Sequence, residues 1–320
     1  MGTPDFAASA LEALVQSRHE ILAVVTQPDK PKGRKGIMTP SPVKEIALRE
    51  GIPVLQPKRV REEGFDEILA GYQADAFVVV AFGQIIPQRI LDLPKYGCLN
   101  VHGSLLPSYR GAAPIQWAVL DGRKKSGVTV MQMDAGIDTG DILLQKEIVL
   151  AEDETAGSLF DRLSALGAEA LLEVLDGLEA GTVTPVPQGE SDTPYAKMLT
   201  KEMGEIDFSR SGAALDAFVR GMDPWPGAYT FLGEKMLKVW KLKPAGADRF
   251  QGAQARPVPG QVAEGPGFLV GCGDGAVELL EVQIEGKKRM AAADFLRGNV
   301  IPAGTMLGHP EHKGEPDGGK

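Results

Sequence analysis

Cysteine is nearly missing from this chain. Among 320 residues there are two, Cys98 and Cys272, far apart and each inside an apolar stretch with strand character. That pattern speaks against a disulfide framework or a cysteine metal site and reads as two buried reduced thiols, hence a reducing compartment, the cytoplasm. Histidine is scarce too. His19, His102, His309 and His312 form no clear set with the cysteines, so no metal is implied. No apolar run reaches the roughly 18 residues of a membrane-spanning helix, so no membrane partner is expected. The N-terminus carries Asp5 and Glu12 and no basic segment ahead of an apolar one, which argues against a signal peptide. Basic charge is in deficit, with 34 Lys and Arg against 43 Asp and Glu and a net charge of −9. Such a balance ordinarily speaks against a nucleic-acid partner. Its distribution says otherwise, because residues 151–200 alone hold 2 basic against 10 acidic residues. The rest of the chain is close to neutral, and a local basic surface is allowed there.

What is present is an ordinary apolar fraction, 43%, enough to bury a core. The first half alternates short apolar runs with amphipathic stretches. Residues 20–27, 74–83, 98–103, 126–134 and 140–150 read as strands, and 5–19, 41–51, 61–72 and 113–122 as helices. That alternation predicts βαβ units and an α/β domain with a mostly parallel sheet. The pair 126–134 and 140–150 is joined by AGIDTG, too short for a parallel crossover, so it predicts an antiparallel hairpin. A long amphipathic helix over 154–181 closes the first domain, residues 1–181. Residues 182–206, opening with TVTPVPQGESDTP, read as a linker. A helix at 211–222 and short strands over 228–243, 267–274 and 275–286 predict a small antiparallel sheet or barrel spanning 207–305. Residues 306–320 read as a disordered tail.

The stretch CLNVHGSLLPSYRGAAPIQW (98–117) carries the chemistry. Asn100 and His102 stand two apart on a strand and so project to one face. The carboxyl ends of strands in open α/β sheets are where ligands bind. Histidine can serve as acid, base or cationic donor near neutral pH. An asparagine amide is a neutral donor for a developing oxyanion. Together they suit a carbonyl carbon that becomes tetrahedral while a proton moves; the plainer reading is a hydrogen-bonded polar pair at a strand end. A carboxylate would support the imidazole. The hairpin MDAGIDTGD offers Asp134, Asp138 and Asp141, and spacing alone does not choose among them, since each also suits a turn.

N-V-H-G-S-L-L-P (100–107), followed by D-T-G-D-I-L (138–143), resembles the folate-dependent formyltransferases, whose pattern is N-x-H-x-S-L-L-P with an Asp further on in a turn. Asp138 stands 36 residues after His102 and inherits that place. The segments GTPDFA, TQPDKPKGRKGIMTPSPVK, RGAAPIQWAV, MDAGIDTGDIL and DPWPGAY are similar to the methionyl-tRNA formyltransferase branch. The resemblance covers about residues 1–300. It implies a Rossmann-like formyltransferase domain followed by an OB-like β-barrel that binds tRNA, with 10-formyltetrahydrofolate as co-substrate and aminoacylated initiator tRNA as partner. It further implies a catalytic trio of Asn100, His102 and Asp138. The folate pocket would be lined by Phe82, Gly83, Gln84, Ile85, Ile86 and Pro87, with Ser104, Leu105, Leu106 and Pro107. Phe6 resembles the residue that helps form the methionyl pocket; its other reading is core packing under the first helix. Arg110 is a candidate to orient a loop.

Lys30, Lys32, Arg34, Lys35 and Lys44 stand among Gly and Pro with no acidic residue between them. They read either as a solvated loop or as a basic loop for phosphates. The resemblance makes it the loop that enters the tRNA acceptor end, with Arg34 its main arginine. Lys201, Lys235, Lys238, Lys241 and Lys243 are further candidates for tRNA contact; strand alternation puts the odd-numbered ones of 235–243 on one face. The expected state is a monomer. One departure stands out: the family has an apolar first strand before GTPDFA, whereas Met1 directly precedes Gly2 here. The first strand is therefore expected to be missing, through a late start or a true truncation. The best reading is formyl transfer to the α-amine of methionyl-initiator tRNA for translation initiation. Alternatives are a formyltransferase for a nucleotide-linked amino sugar and an inactive tRNA-binding protein.

Overall fold

The computed structural model describes residues 1–32, 36–246 and 257–309. The chain divides into two compact units. The first comprises Met1–Ile115, Lys124–Leu150 and Ser158–Lys197; the second takes in Gln116–Arg123, Ala151–Gly157 and Met198 onward.

In chain order, the elements up to residue 180 are α1 (Asp5–Val15), β1 (Val24–Val25), β2 (Lys30–Lys32), β3 (Ile37–Thr39), α2 (Pro42–Arg49), β4 (Val54–Leu55), α3 (Phe65–Ala70), β5 (Phe77–Val79), α4 (Gln88–Leu91), β6 (Cys98–His102), α5 (Pro114–Leu120), β7 (Lys125–Gln132), β8 (Ile142–Val149) and α6 (Ala156–Ala180). Local rules account for several boundaries. Ser41 caps α2 by accepting from the Lys44 N–H, and Pro42 occupies the first turn, where its missing N–H costs nothing. The sheet order is β5-β6-β7-β8, parallel between β5 and β6 and antiparallel beyond. β7 is buried along nearly its whole length and β8 alternates, as a central strand and a one-sided edge should.

β1 and β4 form a separate parallel pair. Between β1 and β5 lie only Met1 and Gly2. The Met1 amine donates to the Val78 carbonyl at 2.6 Å, Val80 donates back to the Met1 carbonyl at 2.9 Å, and Gly2 donates to Val25 at 2.9 Å. Gly2 is held there tightly, since a Cβ on it would come within 2.5 Å of the Ala7 methyl. Beside this two-residue seam is a cavity of about 310 Å³, lined among others by Leu11, Leu14, Leu22, Val43, Leu69 and Val78. The strands expected over 20–27 and 74–83 shrink to Val24–Val25 and Phe77–Val79. Ile21, Leu22 and Ala23, just before β1, line the cavity instead of pairing in a ladder.

The second unit holds α7 (Gly212–Met222), β9 (Ala228–Leu232), β10 (Lys235–Ala245), β11 (Phe268–Cys272), β12 (Gly275–Ile284), β13 (Met290–Ala291) and α8 (Ala292–Gly298). The antiparallel order is β11-β12-β10-β9, with β13 on β12. The sheet curls until single bridges join its margins: Val262 with Val270, Gln261 with Met306, and Leu307 with Leu232. Phe268 and Phe295 stack inside at 6.2 Å. Residues 306–309, expected in the tail, belong to this closure: Leu307 is buried and the His309 ring sits edge-on to Phe231 at 5.0 Å. Residues 310–320 lie outside the described residues. The helix α8 and the hairpin β2–β3 are additions to what the sequence pattern predicts.

Candidate active site

β6 runs between β5 and β7, which brings Asn100 opposite Val79 and Met131, and His102 opposite Thr129. His102 is the last residue of the strand and is buried. Its Nε2 lies 3.0 Å from the Tyr109 carbonyl. A carbonyl only accepts, so Nε2 carries a proton and Nδ1 is the nitrogen left to work. Nδ1 faces the Asp138 carboxylate at 3.8 Å, longer than a direct hydrogen bond. The Asn100 amide donates to the other Asp138 oxygen at 3.5 Å. The Gly111 N–H donates to that carboxylate at 2.9 Å. An amide and an imidazole nitrogen on β6, a carboxylate and a backbone amide thus converge on one spot.

The structure chooses among the three aspartates. Asp134 is spent on its own turn, accepting from the Gly136 N–H at 3.0 Å and the Thr139 hydroxyl at 2.7 Å. Asp141 is exposed, and its carbonyl serves the Gln132 N–H. Asp138 alone of the three turns its carboxylate to His102. It does so from a left-handed backbone, φ +54°, uncommon outside glycine. Two glycines make room. A Cβ on Gly140 would lie 1.7 Å from the Gln132 carbonyl, and one on Gly111, φ +126°, 2.7 Å from the Ala196 carbonyl.

The other expected site residues divide. Ser104–Pro107 is a buried brace. The Thr129 hydroxyl donates to the Ser104 carbonyl at 2.7 Å and accepts from the Leu106 N–H at 3.0 Å, while Ser104 Oγ is spent on the Ser108 carbonyl. Leu106 is in the core, Leu105 and Pro107 half-buried. These residues hold the loop after β6. In the other loop Phe82 and Ile86 are likewise core residues, packed with Val79 and Ile90. Gly83 (φ +75°), half-buried Gln84, Ile85 and half-buried Pro87 remain toward the surface, with Ile85 79% exposed. Because β5 and β6 are parallel, this loop leaves the same sheet end that carries His102. A loop of exposed backbone and one apolar side chain suits a flat ring with several donors and acceptors.

Phe6 lies on the buried face of α1. It is buried, edge-on to Phe160 at 5.5 Å, because α1 packs its apolar stripe inward. The basic segment is a hairpin, β2–β3, with Ile37 and Met38 exposed. Lys30 donates to Gln27 at 2.8 Å. Lys44 is drawn off by Asp29 at 2.7 Å, and that hydrogen bond holds the Asp29 carboxyl below its ordinary range. Lys32 is in β2, and Arg34 and Lys35 lie outside the described residues. In the second unit Lys201 is exposed. Alternation along β10 breaks at a bulge between Val239 and Leu242. Leu237, Val239 and Leu242 point inward, so Lys241 and Lys243 join Lys238 on the outer side and the odd-numbered rule fails. Burial pushes the Cys98 thiol up to about 12, as befits an inert core residue. Among the described residues no group of His, Cys, Asp and Glu could hold a metal, and no helix is long and apolar enough to cross a membrane.

Sequence reasoning missed the groups that surround the site from residues 186–196. The Tyr109 N–H donates to Thr193 Oγ1 at 2.6 Å, Ala196 exchanges backbone bonds with Arg110 and Ala112, and Gln188 meets Arg110 and the Asp138 loop. The segment has a linker's composition; its only signal was an isolated Gln among Pro and Gly.

The family model for formyl transferase matches residues 1–175, and that for the formyl transferase C-terminal domain matches residues 198–300. The chain belongs to the formyl transferase family. Within it, the chain is 54% identical over 311 residues to the methionyl-tRNA formyltransferase of Lachnospira eligens, covering 96% of this chain and 98% of that protein. It is 48% identical over 314 residues to that of Bacillus licheniformis, covering 98% of each. Among solved structures, the sugar 3N-formyl transferase WlaRD, crystallised with dTDP and 5-N-formyl-THF, has TM-score 0.65 at 21% identity, covering 90% of this chain and 97% of that one. An N-formyltransferase from Helicobacter canadensis has TM-score 0.63 at 18% identity, covering 87% and 96%. These last two share the fold.

Proposed function

We propose that the chain transfers the formyl group of 10-formyltetrahydrofolate to the α-amino group of methionyl-initiator tRNA, and does so as a monomer in the cytoplasm. The observation that carries the reading is near-full-length identity of 48–54% to methionyl-tRNA formyltransferases, joined to the convergence of Asn100, His102 and Asp138. The folate would be held along Gly83–Ile85 at the carboxyl end of β5, and it supplies an activated formyl carbon. At that carbon the attacking amine converts the carbonyl to a tetrahedral centre. Asn100 Nδ2 and a doubly protonated His102, through Nδ1–H, donate to the oxygen as it gains charge. Asp138 faces Nδ1 and sustains the imidazolium, and through water it takes the proton that the amine sheds. The tetrahedral centre then collapses, the bond from its carbon to N10 breaks, and Asp138 passes the same proton back through water to N10, so that tetrahydrofolate leaves and the carboxylate is regenerated. The basic hairpin and Lys201, Lys238, Lys241 and Lys243 serve the phosphates.

The test supplies the protein with 10-formyltetrahydrofolate and methionyl-initiator tRNA and follows formyl-methionyl-tRNA. Turnover is expected. Formylation of a nucleotide-linked amino sugar in its place, or tRNA binding without turnover, would sink the reading.

A further inference from the structure

Gln188 lies half-buried in the Pro-rich segment after α6, two residues past a reciprocal pair of backbone bonds between Val186 and Ile142, each 2.8 Å. Its amide nitrogen donates to the Asp138 carbonyl at 3.0 Å and to the Gly140 carbonyl at 2.6 Å. Its amide oxygen accepts from Arg110 Nε at 3.1 Å and Nη2 at 2.8 Å. Arg110 also donates to the Gly189 carbonyl at 3.2 Å. The orientation of the amide is unambiguous. A guanidinium only donates and carbonyls only accept, so the flipped amide would lose all four bonds.

Asp138 needs such support. Its left-handed backbone costs energy for a residue with a Cβ, and it persists only where the surroundings over-determine it. One fixed point is the Gly111 N–H on its carboxylate. A second is the Asn100 amide on the other carboxylate oxygen, and the one on its backbone is Gln188, which donates to the carbonyl. Arg110 directly precedes Gly111, so a single chain of contacts runs from Gly111 through Arg110 and Gln188 back to Asp138. We infer that Gln188 is a positioning residue for the formyl transfer: together with Arg110 it sets the Asp138 loop so that the carboxylate meets His102 at the working separation. The inference rests on the reading of Asn100, His102 and Asp138 as the catalytic trio.

The experiment measures kcat, both KM values and the single-turnover rate per folded site for Gln188→Met, Gln188→Glu, Arg110→Ala, the double variant Arg110→Ala/Gln188→Ala, and Asp138→Asn. Displacing a reacting group by a fraction of an ångström to an ångström costs roughly ten- to a hundredfold. Gln188→Met, which keeps the volume and loses both contacts, is expected to lower kcat by about tenfold or more while both KM values stay within about twofold. Gln188→Glu keeps an acceptor for Arg110 but cannot donate to the two carbonyls, so it is expected to fall with Gln188→Met. Arg110→Ala should cost less, and the double variant little more than the loss of Gln188 alone, because the two act in series. A wild-type single-turnover rate in Gln188→Met and Gln188→Glu, or losses confined to KM, would overturn the inference. Asp138→Asn separates the two ideas. If it keeps the wild-type rate, the catalytic reading fails and Gln188 has nothing to position; if it loses activity while the Gln188 variants do not, only the present inference fails.

Discussion

The two flanks of the first unit's sheet differ in how completely they are bonded. At β6 and its loops the polar groups described above are engaged: Thr129 serves Ser104 and Leu106, Tyr109 holds His102 Nε2, and Gly111, Asn100 and Gln188 hold Asp138. At the opposite flank, between β1 and β5, the ladder is two residues long and a cavity of about 310 Å³ lies beside it. There the Met1 amine, an ionisable group, is taken from water with one carbonyl as acceptor, and burial lowers its pKa from 8.0 to about 6. The contrast teaches that the geometry needed for chemistry and the part of the sheet with most room for improvement are lodged in different places. Changes at the first should show in rates, and changes at the second in stability.

The largest expected effect is at the site. Replacing His102 or Asp138 by alanine should lower the single-turnover rate per folded site by roughly a hundredfold to ten-thousandfold, the range for an acid–base or oxyanion group. A near-wild-type rate for His102→Ala would break the comparison at its stronger end.

At the seam the sign reverses. Extending the chain ahead of Met1 with a strand-length apolar segment gives the cavity side chains and gives β1 and β5 a continuous partner. Stability is expected to rise by about 3 kcal/mol or more, the worth of one or two fully buried large apolar side chains. Denaturant unfolding reads this directly. An extended chain no more stable than the parent would show that the flank is already satisfied.

The same seam predicts a pH dependence for a chain that starts at Met1. The amine binds a proton near pH 8.0 when unfolded and only near 6 when folded. Above 8 it is neutral in both states and costs nothing. Between 8 and 6 the unfolded state binds the extra proton, so stability falls as pH falls, by at most about 3 kcal/mol for two pKa units. Blocking the amine by acetylation, or extending the chain, should flatten this window; an unblocked chain equally stable at pH 5.5 and 8.5 counts against a buried amine.

The smallest expected effect lies on the barrel. Lys238 and Lys241 face outward on β10, and neutralising both should reduce the salt dependence of tRNA affinity by a slope of about 1 to 2 while leaving folate affinity unchanged. An unaltered slope would remove these lysines from the tRNA contact.

Much of this architecture is written locally. Amphipathic spacing places α1, α2, α6 and α7; the AGIDTG turn requires the β7–β8 hairpin; and the i, i+2 spacing of Asn100 and His102 puts both on one face of β6. These properties depend on residues within a few positions of one another, so the sequence alone determined them. What tertiary structure decided depends on groups distant in the chain. Only long-range pairing shows that the strands expected over 20–27 and 74–83 are Val24–Val25 and Phe77–Val79. A bulge that no periodicity announces turns Lys241 and Lys243 to the outer side of β10. Only the packing of α1 on α6 makes Phe6 a core residue. That Asp138 meets His102 and Gly111, and that Gln188 is recruited from a segment with a linker's composition, follows from contacts that span tens of residues, whereas Asp134 is held by its own turn. A polar side chain's role is set by the partner that satisfies it, and here that partner is supplied by the fold rather than by neighbouring sequence.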